Sequence, residues 1–583
     1  MKKTILLASL VAVASMAAGT EGTVKGFYEG EHTIVNKDNH SFAVKKIGVE
    51  TEVKVKDTGL SFGGTFQGKD IKIPLEKHTG DTFFNNSKIF VKYELPQMKG
   101  IDSYVKATLN PKVEREEKDE KLSFKAGNVE LEGDISYNVK KDVKVGLNSK
   151  TTFPFKKTVK GLIKEENVNY KEDLLNYGAN VESTHKVYVE AFKTTDENKR
   201  ENEKYKDLKA HVAVTHTYAQ SEKDQADKAK AKDVNKSFKS VELHAEGVVA
   251  PMKNLEIKPE VNFVAQVNGE LNAKDRILGD ADLLGGMGGF IGDVTLAKLY
   301  NSDYKIEYEK YSDNTNKESK KISEILSKVN DENTDKKEKE YLENVLMNHE
   351  KATKESVTKE FDFGKLPSGR YLTSASVNFK YTGLKDTEIN VKPFINHINF
   401  EASKDSSHNL LYYGVKADVK NTGLVKNLTL TGKATLSGVS MLESYKVGSE
   451  TKSSANHIGL FNFGVGAKYD YKVTDKFTVS PEANISTNIY TINALTKKGA
   501  NNEKDEYTRI TSADLTLAPK VSAEYKPMDK LTVKGSVEVP VNFGPKLVYV
   551  KKTVDKKEIN TKEYKFGFTS ASVKTSLNVE YKW

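Results

Sequence analysis

Hydrophobicity in the stretch "SVKTSLNVEYKW", residues 572 to 583, rises and falls with a period of two. Its odd positions hold Val573, Thr575, Leu577, Val579, Tyr581 and Trp583, and its even positions hold Lys574, Ser576, Asn578, Glu580 and Lys582. Successive side chains of an extended chain point to opposite sides, so this pattern predicts a strand with one apolar and one wet face. The same alternation sets Leu531, Val533, Val537, Val539 and Val541 against Thr532, Lys534, Ser536, Glu538 and Asn542. It recurs with Phe477, Val479, Ala483, Ile485 and Ile489, with Leu515, Leu517, Val521, Ala523 and Tyr525, and near the start with Val49, Val53 and Val55. Only 37% of the residues are hydrophobic and 30% are charged. Such a chain fits a soluble multidomain protein, or a membrane barrel in which only every second strand residue need be apolar.

The connections between these runs are of two kinds. "YKVTDKFTV" at 471 to 479 and "YKPMDKLTV" at 525 to 533 share six of nine positions, with looser relatives at 249 to 257 and 137 to 145. Tight joints also stand at 55 to 60 and 421 to 430. A few polar residues between two alternating runs predict a hairpin. The other connections are longer, irregular and charged, as at 110 to 121, 220 to 237, 495 to 507 and 551 to 564. Tight turns at one end and long loops at the other match the layout of an outer-membrane barrel.

The opening "MKKTILLASLVAVASMAAG" combines two lysines, an uncharged run from Thr4 to Ala18 and small residues, which predicts a secretory signal peptide over residues 1–19. Its apolar run is below the roughly 20 residues of a spanning helix. Cleavage near residue 18 or 20 leaves a mature chain of 20–583 with 89 basic and 82 acidic residues. There is no cysteine, which excludes a disulfide framework and a thiolate metal site.

The signal peptide, the amphipathic strands that follow it, the two classes of connection and a last strand ending Tyr581-x-Trp583 together resemble Gram-negative outer-membrane β-barrels, most of all porin-like ones. The resemblance implies localisation to the cell outer membrane, contact with outer-membrane lipids and a possible homo-oligomer. It also implies that Tyr581 and Trp583 form an assembly signal read by the barrel-assembly machinery. The chain departs from the family pattern in having Asn578 in place of a glycine and in ending on tryptophan instead of phenylalanine. Trp583 is the only tryptophan, and an amphipathic indole suits the headgroup level, which puts the tight turns on the same, periplasmic rim.

The expected fold class is all-β: a closed antiparallel transmembrane β-barrel of about 20 strands, within 18 to 22, occupying 20–583. The segment 193 to 206 is long and polar for a periplasmic turn, and 290 to 311 has room for a further pair. Pro259, Pro393, Pro481, Pro519 and Pro540 cannot donate to a ladder, so they are expected at bulges or beyond the membrane band. One insert, 272–368, breaks the pattern with apolar residues at helical spacing, predicting helices near 318–329 and 335–356. It reads either as a self-packed helical hairpin in an extracellular loop or as a loop folded into the barrel mouth. "LGGMGGFIG" at 284 to 292 has neither dinucleotide nor phosphate-loop spacing.

No catalytic constellation, cofactor or metal site is expected. His211 and His216, five apart on a strand, point to opposite faces and cannot chelate together. Acidic residues interleave with the lysines, so no nucleic-acid partner is expected. The leading expectation is a non-enzymatic, porin-like channel for passive diffusion of small hydrophilic solutes, with Lys534, Glu538, Lys574 and Glu580 as candidate pore-lining residues. The alternative is a surface adhesin that uses the barrel to display its loops. An energy-coupled transporter is disfavoured because strands begin near residue 22, and an autotransporter because alternation runs throughout.

Overall fold

The computed structural model describes residues 19–34, 40–75, 79–115, 122–123, 127–140, 142–154, 181–194, 203–218, 238–266, 369–403, 406–447, 450–497, 506–554 and 557–583. The alternating segments form one antiparallel sheet. In chain order its strands are β1 (Thr20–Ile34), β2 (His40–Val55), β3 (Leu60–Ile73), β4 (Lys88–Glu94), β5 (Ile101–Asn110), β6 (Asn128–Lys140) and β7 (Val143–Pro154). There follow β8 (Val181–Ala191), β9 (Tyr205–Tyr218), β10 (Phe238–Met252), β11 (Leu255–Gln266), β12 (Gly369–Tyr381), β13 (Thr387–Ser403), β14 (Ser406–Asn421) and β15 (Leu428–Val447). Strand β16 runs through Glu450–Tyr469 and Tyr471–Thr474, and β17 is Phe477–Lys497. Strand β18 is Glu506–Met528, β19 joins Leu531–Glu538 to Val541–Val554, and β20 is Lys557–Lys582. Each pairs with the next, and β20 pairs back onto β1 from Ile34↔Ala571 to Thr23↔Lys582. The result is a closed barrel of 20 strands, each paired with a neighbour on both sides.

One end carries the tight turns. Lys140↔Val143, Met252↔Leu255, Thr474↔Phe477 and Met528↔Leu531 each close a two-residue reversal. Each neighbouring strand end then binds the previous turn, as in Lys526 N–H to Lys476 O and Lys582 N–H to Lys530 O, both 2.8 Å. The 193–206 segment joins this rim as its longest connection: Thr194 N–H and Oγ1 donate to the Asp207 carboxylate at 2.7 and 2.9 Å, and residues 195–202 lie outside the described ones. The predicted signal peptide, the pair at 290–311 and the helices at 318–329 and 335–356 also lie outside them.

At the opposite end wall height varies sharply. Strand β4 has 7 residues, whereas β20 has 26. Crossing a bilayer takes about 9–11 residues. The charged stretch 551–564, expected as an irregular loop, is mostly ladder, with β19 paired to β20 out to Val554↔Lys557; at 495–507 β17 pairs with β18 out to Lys497↔Glu506, and residues 498–505 lie outside the described ones. Beside the low wall, the upper edge of β3 has no strand partner. The next strand begins only at Lys88, and a short helix α1 (Asp81–Asn85) caps that edge instead. Gln67 N–H donates to Ser87 Oγ and Lys69 N–H to Thr82 Oγ1 at 3.3 and 3.0 Å. Strand β6 starts at Asn128, and Glu114–Arg115 pairs with Leu122–Ser123 as a separate ladder.

All five prolines sit where one flanking ladder is interrupted. Pro259 faces the break between Glu246↔Glu260 and Val249↔Ile257, and Pro393 the break between Ser376↔Phe394 and Phe379↔Val391. Pro481 lies beside Asp470, where β16 is divided, and Pro519 and Pro540 share the break between β18 and β19. Their missing N–H groups fall where no ladder bond is required.

Candidate functional site

Alternation divides every strand between two chemistries. One face carries large apolar side chains open to the surroundings, among them Val91, Val105, Leu131, Leu147, Val187, Leu243, Ile395, Leu436, Phe463, Ile485, Val521 and Leu577, each 43 to 64% exposed. The other carries the charged and amide residues. Polar-face side chains reach each other across an intervening strand: Lys144 Nζ to Asp102 Oδ2 at 3.7 Å, Lys392 Nζ to Glu260 Oε2 at 3.6 Å, and Tyr188 Oη to Asp134 Oδ1 at 2.9 Å. Side chains converge on the concave side of a closed sheet, so the polar face lines the lumen and the apolar face forms the outer belt. Twenty strands about 4.8 Å apart and tilted by roughly 40° have a perimeter of about 125 Å, a circle about 40 Å across at the backbone.

The lumen wall is a lattice of opposite charges. Lys534 Nζ is 2.7 Å from Glu524 Oε2, and Glu538 faces Lys574 in the ladder. Lys574 Nζ lies 4.0 Å from Glu31 Oε1. Glu580 approaches Lys25 across the closing pair at 3.7 Å and Lys582 along its own strand at 3.0 Å. The four candidate pore-lining residues thus stand on one connected part of the wall. Further round, Glu246 holds both Lys209 and Lys258 at 2.9 Å, and Lys380 holds Glu388 at 2.9 Å. Exposed pairs of this kind contribute at most about 1 kcal/mol each. They matter more as fixed local fields along the wall than as stability.

In one part of the wall neutral donors hold the carboxylates. Where β5 to β10 meet, a recess of about 350 Å³ is lined by Tyr104, Glu132, Asp134, Asn148, Lys186 and Tyr188, with His211 and His244 at its far side. Tyr104 Oη donates to Glu132 Oε1 at 2.6 Å, and Asn148 Nδ2 bridges Glu132 Oε1 and Asp134 Oδ2 at 3.1 and 3.3 Å. Tyr188 reaches Asp134 from two strands away because Gly146 stands between: its ring lies where any Cβ at 146 would be. Nothing in linear sequence brings these residues together. Only the shared parity of the residues on β5 to β8, polar at even positions, is readable in the sequence.

The histidines divide as their parity requires. His211 faces the lumen, stacked on His244 at 5.0 Å with Glu242 at 3.4 Å, while His216 faces out beside His185 at 4.8 Å. Among the described residues no three potential ligands converge to hold a metal ion.

Tyr581 and Trp583 lie on the outer face at the tight-turn rim, stacked with centroids 6.2 Å apart. Trp583 N–H donates to Gly22 O at 3.2 Å, and its indole Nε1 to Thr20 Oγ1 at 3.3 Å. The seam between β1 and β20 is therefore tied at its end by both backbone and ring.

Neither a protein-family model nor a curated relative matches the chain. Among solved structures it is similar to OccAB2 of Acinetobacter baumannii, at 7% identity and TM-score 0.32, covering 98% of this chain and 99% of that one. It is similar to OmpT, an outer membrane protein of Vibrio cholerae, at 9% identity and TM-score 0.28, covering 85% and 98%. It is also similar to the FrpB iron transporter of Neisseria meningitidis, at 8% identity and TM-score 0.35, covering 98% and 82%. The architecture follows from the ladder itself: the chain is a closed, antiparallel, 20-stranded β-barrel with an apolar belt outside and a polar lumen inside, the build of an outer-membrane barrel.

Proposed function

We propose that this chain is a non-enzymatic outer-membrane channel through which small hydrophilic solutes diffuse passively. The observation that carries this reading is that charged residues pointing into the lumen remain open to water: the side chains of Lys534 and Lys574 are 60% and 49% accessible. A barrel of this strand number encloses more than its own wall residues fill, since 16 to 18 strands already leave an aqueous channel. In this reading the tight-turn rim is periplasmic, the tall hairpins face outward, and Tyr581 and Trp583 serve the barrel-assembly machinery. Outer-membrane lipids coat the apolar belt, and copies of the chain pack side by side into a homo-oligomer. Liposome swelling tests it. Vesicles containing the folded barrel should swell in small sugars at rates that fall with solute size, and swelling no faster than in protein-free vesicles would remove the proposal.

One observation favours a second reading, a surface adhesin. The β17–β18 and β19–β20 hairpins continue well past the length needed to cross a bilayer, in segments rich in lysine and glutamate. Removing residues 548–563 separates the two: unchanged swelling with lost host-cell or matrix binding favours display, and altered swelling favours a channel whose mouth the hairpins shape.

A further inference from the structure

The recess between β5 and β10 holds charges of both signs that are not in ion-pair contact with one another: Glu132 and Asp134 at one side and Lys186 at the other, with Glu190 and the Glu246-paired Lys209 further along its lining. At several other points of the lumen a lysine and a carboxylate form an ion pair, as in Lys534–Glu524, Lys150–Glu130 and Lys392–Glu260. Here the hydrogen-bond partners of Glu132 and Asp134 are neutral donors, Tyr104, Tyr188 and Asn148, while Lys106 and Lys150 stand opposite Glu132 in the two flanking ladders. Among the described residues neither carboxylate has a lysine within ion-pair distance. Lys186 lines the same recess, and its Nζ is 5.6 Å from the centroid of the Tyr188 ring, with no carboxylate partner among the described residues.

The separation is built into the wall. Asp134 pairs with Asn148, and Asn148 with Lys186, in one row across β6, β7 and β8. The acid and the lysine are thus two strand spacings apart, about 10 Å between backbones. Tyr188, laid flat over Gly146, has its hydroxyl on the acid and its ring beneath the ammonium. An acid and a base fixed at this distance, each still able to accept a charge-assisted partner, complement a solute that carries both signs itself.

We propose that this recess is a binding subsite for zwitterionic solutes of amino-acid or short-peptide size, resting on the reading of the barrel as a channel. The solute's ammonium meets Glu132 and Asp134, whose carboxylate oxygens the two tyrosines and Asn148 already orient. Its carboxylate meets Lys186. A volume of about 350 Å³ is at the low end of small-molecule sites and suits such a solute, leaving its side chain in the open lumen. The subsite would favour these solutes over singly charged or neutral ones of equal size while leaving the main passage open.

Calorimetric titration of the folded barrel in detergent tests this without requiring conduction. The probes are alanyl-alanine, its N-acetyl derivative and its amide, which carry both charges, the negative alone and the positive alone. Alanyl-alanine should bind at least about tenfold more tightly than either derivative, and its affinity should fall as salt is raised. Lys186→Gln, and Glu132→Gln with Asp134→Asn, should each weaken it about tenfold. Equal binding of all three probes by the wild-type barrel, or no binding by any, overturns the subsite whatever the variants do. Swelling measured in parallel keeps the two claims apart. A barrel that binds selectively but passes no solute retains the subsite and loses the channel, and one that passes solute without selective binding does the reverse.

Discussion

The indole of Trp583 occupies the space that a side chain at Gly22 would need. A Cβ placed on Gly22 would collide with the ring, and also with the carbonyl oxygen of Glu52 on the neighbouring strand. Gly22 pairs with Val53, which is fully buried, so the indole covers the point where the last strand, the first and the second meet. In lipid every backbone polar group must be paired within the protein, and this corner is where β20 completes that pairing against β1.

Gly22→Val is therefore expected to push the ring off the seam and lower the yield of closed barrel. Trp583 is the only tryptophan, so its fluorescence reports this corner alone. In vesicles the variant's emission should shift toward the red and become less sensitive to quenching by brominated lipids.

Deleting Tyr581 to Trp583 should impair insertion into the outer membrane while export across the inner membrane continues. Trp583→Ala should have a weaker effect of the same kind, since the ring pair it removes contributes about 1 kcal/mol beyond its buried area. Comparing heat-modifiable protein in the membrane with soluble protein in the periplasm checks both; wild-type membrane levels after the deletion would refute the assembly role.

Reversing the charge at Lys534 and Lys574 together should move the channel toward cations. The double variant Lys534→Glu, Lys574→Glu places glutamates opposite Glu524 and beside Glu31, turning two attractive contacts into repulsive ones in the lumen. The reversal potential in a potassium chloride gradient should shift accordingly, and more at low salt than at high.

Glu246→Gln should act in the opposite direction. It leaves Lys209 and Lys258 facing each other without their shared carboxylate. Selectivity should move toward anions, and thermal stability in detergent should fall by no more than about 1 kcal/mol, because both lysines are nearly half exposed.

Much of the fold is legible because lipid enforces period two. Where one face is a continuous apolar stripe, as at Leu577, Val579 and Tyr581, the strand declares itself, and the expected count of about 20 strands matches the twenty that pair. Legibility fails where that demand stops. At 551–564 "KKTVDKKEINTKEY" loses its apolar stripe while its backbone keeps pairing. At "DTFFN" two adjacent phenylalanines break alternation, and a helix turn caps the edge of β3, with Phe83 stacked on Phe66 at 5.2 Å.

The lumen is legible by parity but not by position. Lys534, Glu538, Lys574 and Glu580 share a parity with the wet face of their strands, and their grouping follows from β19 pairing with β20. The recess depends on register across six strands and on the gap at Gly146 that lets Tyr188 cross to Asp134. No short motif carries that information, because a one-residue slip in any ladder would turn one of its members outward.

The central claim is a water-filled passage bounded by this charged wall, and single-channel recording in planar bilayers tests it most directly. The folded, heat-modifiable barrel should insert to give stable steps of ohmic conductance whose selectivity moves in opposite directions for Lys534→Glu, Lys574→Glu and for Glu246→Gln. Insertion shown by protease protection with no conductance above that of the bare bilayer would contradict it.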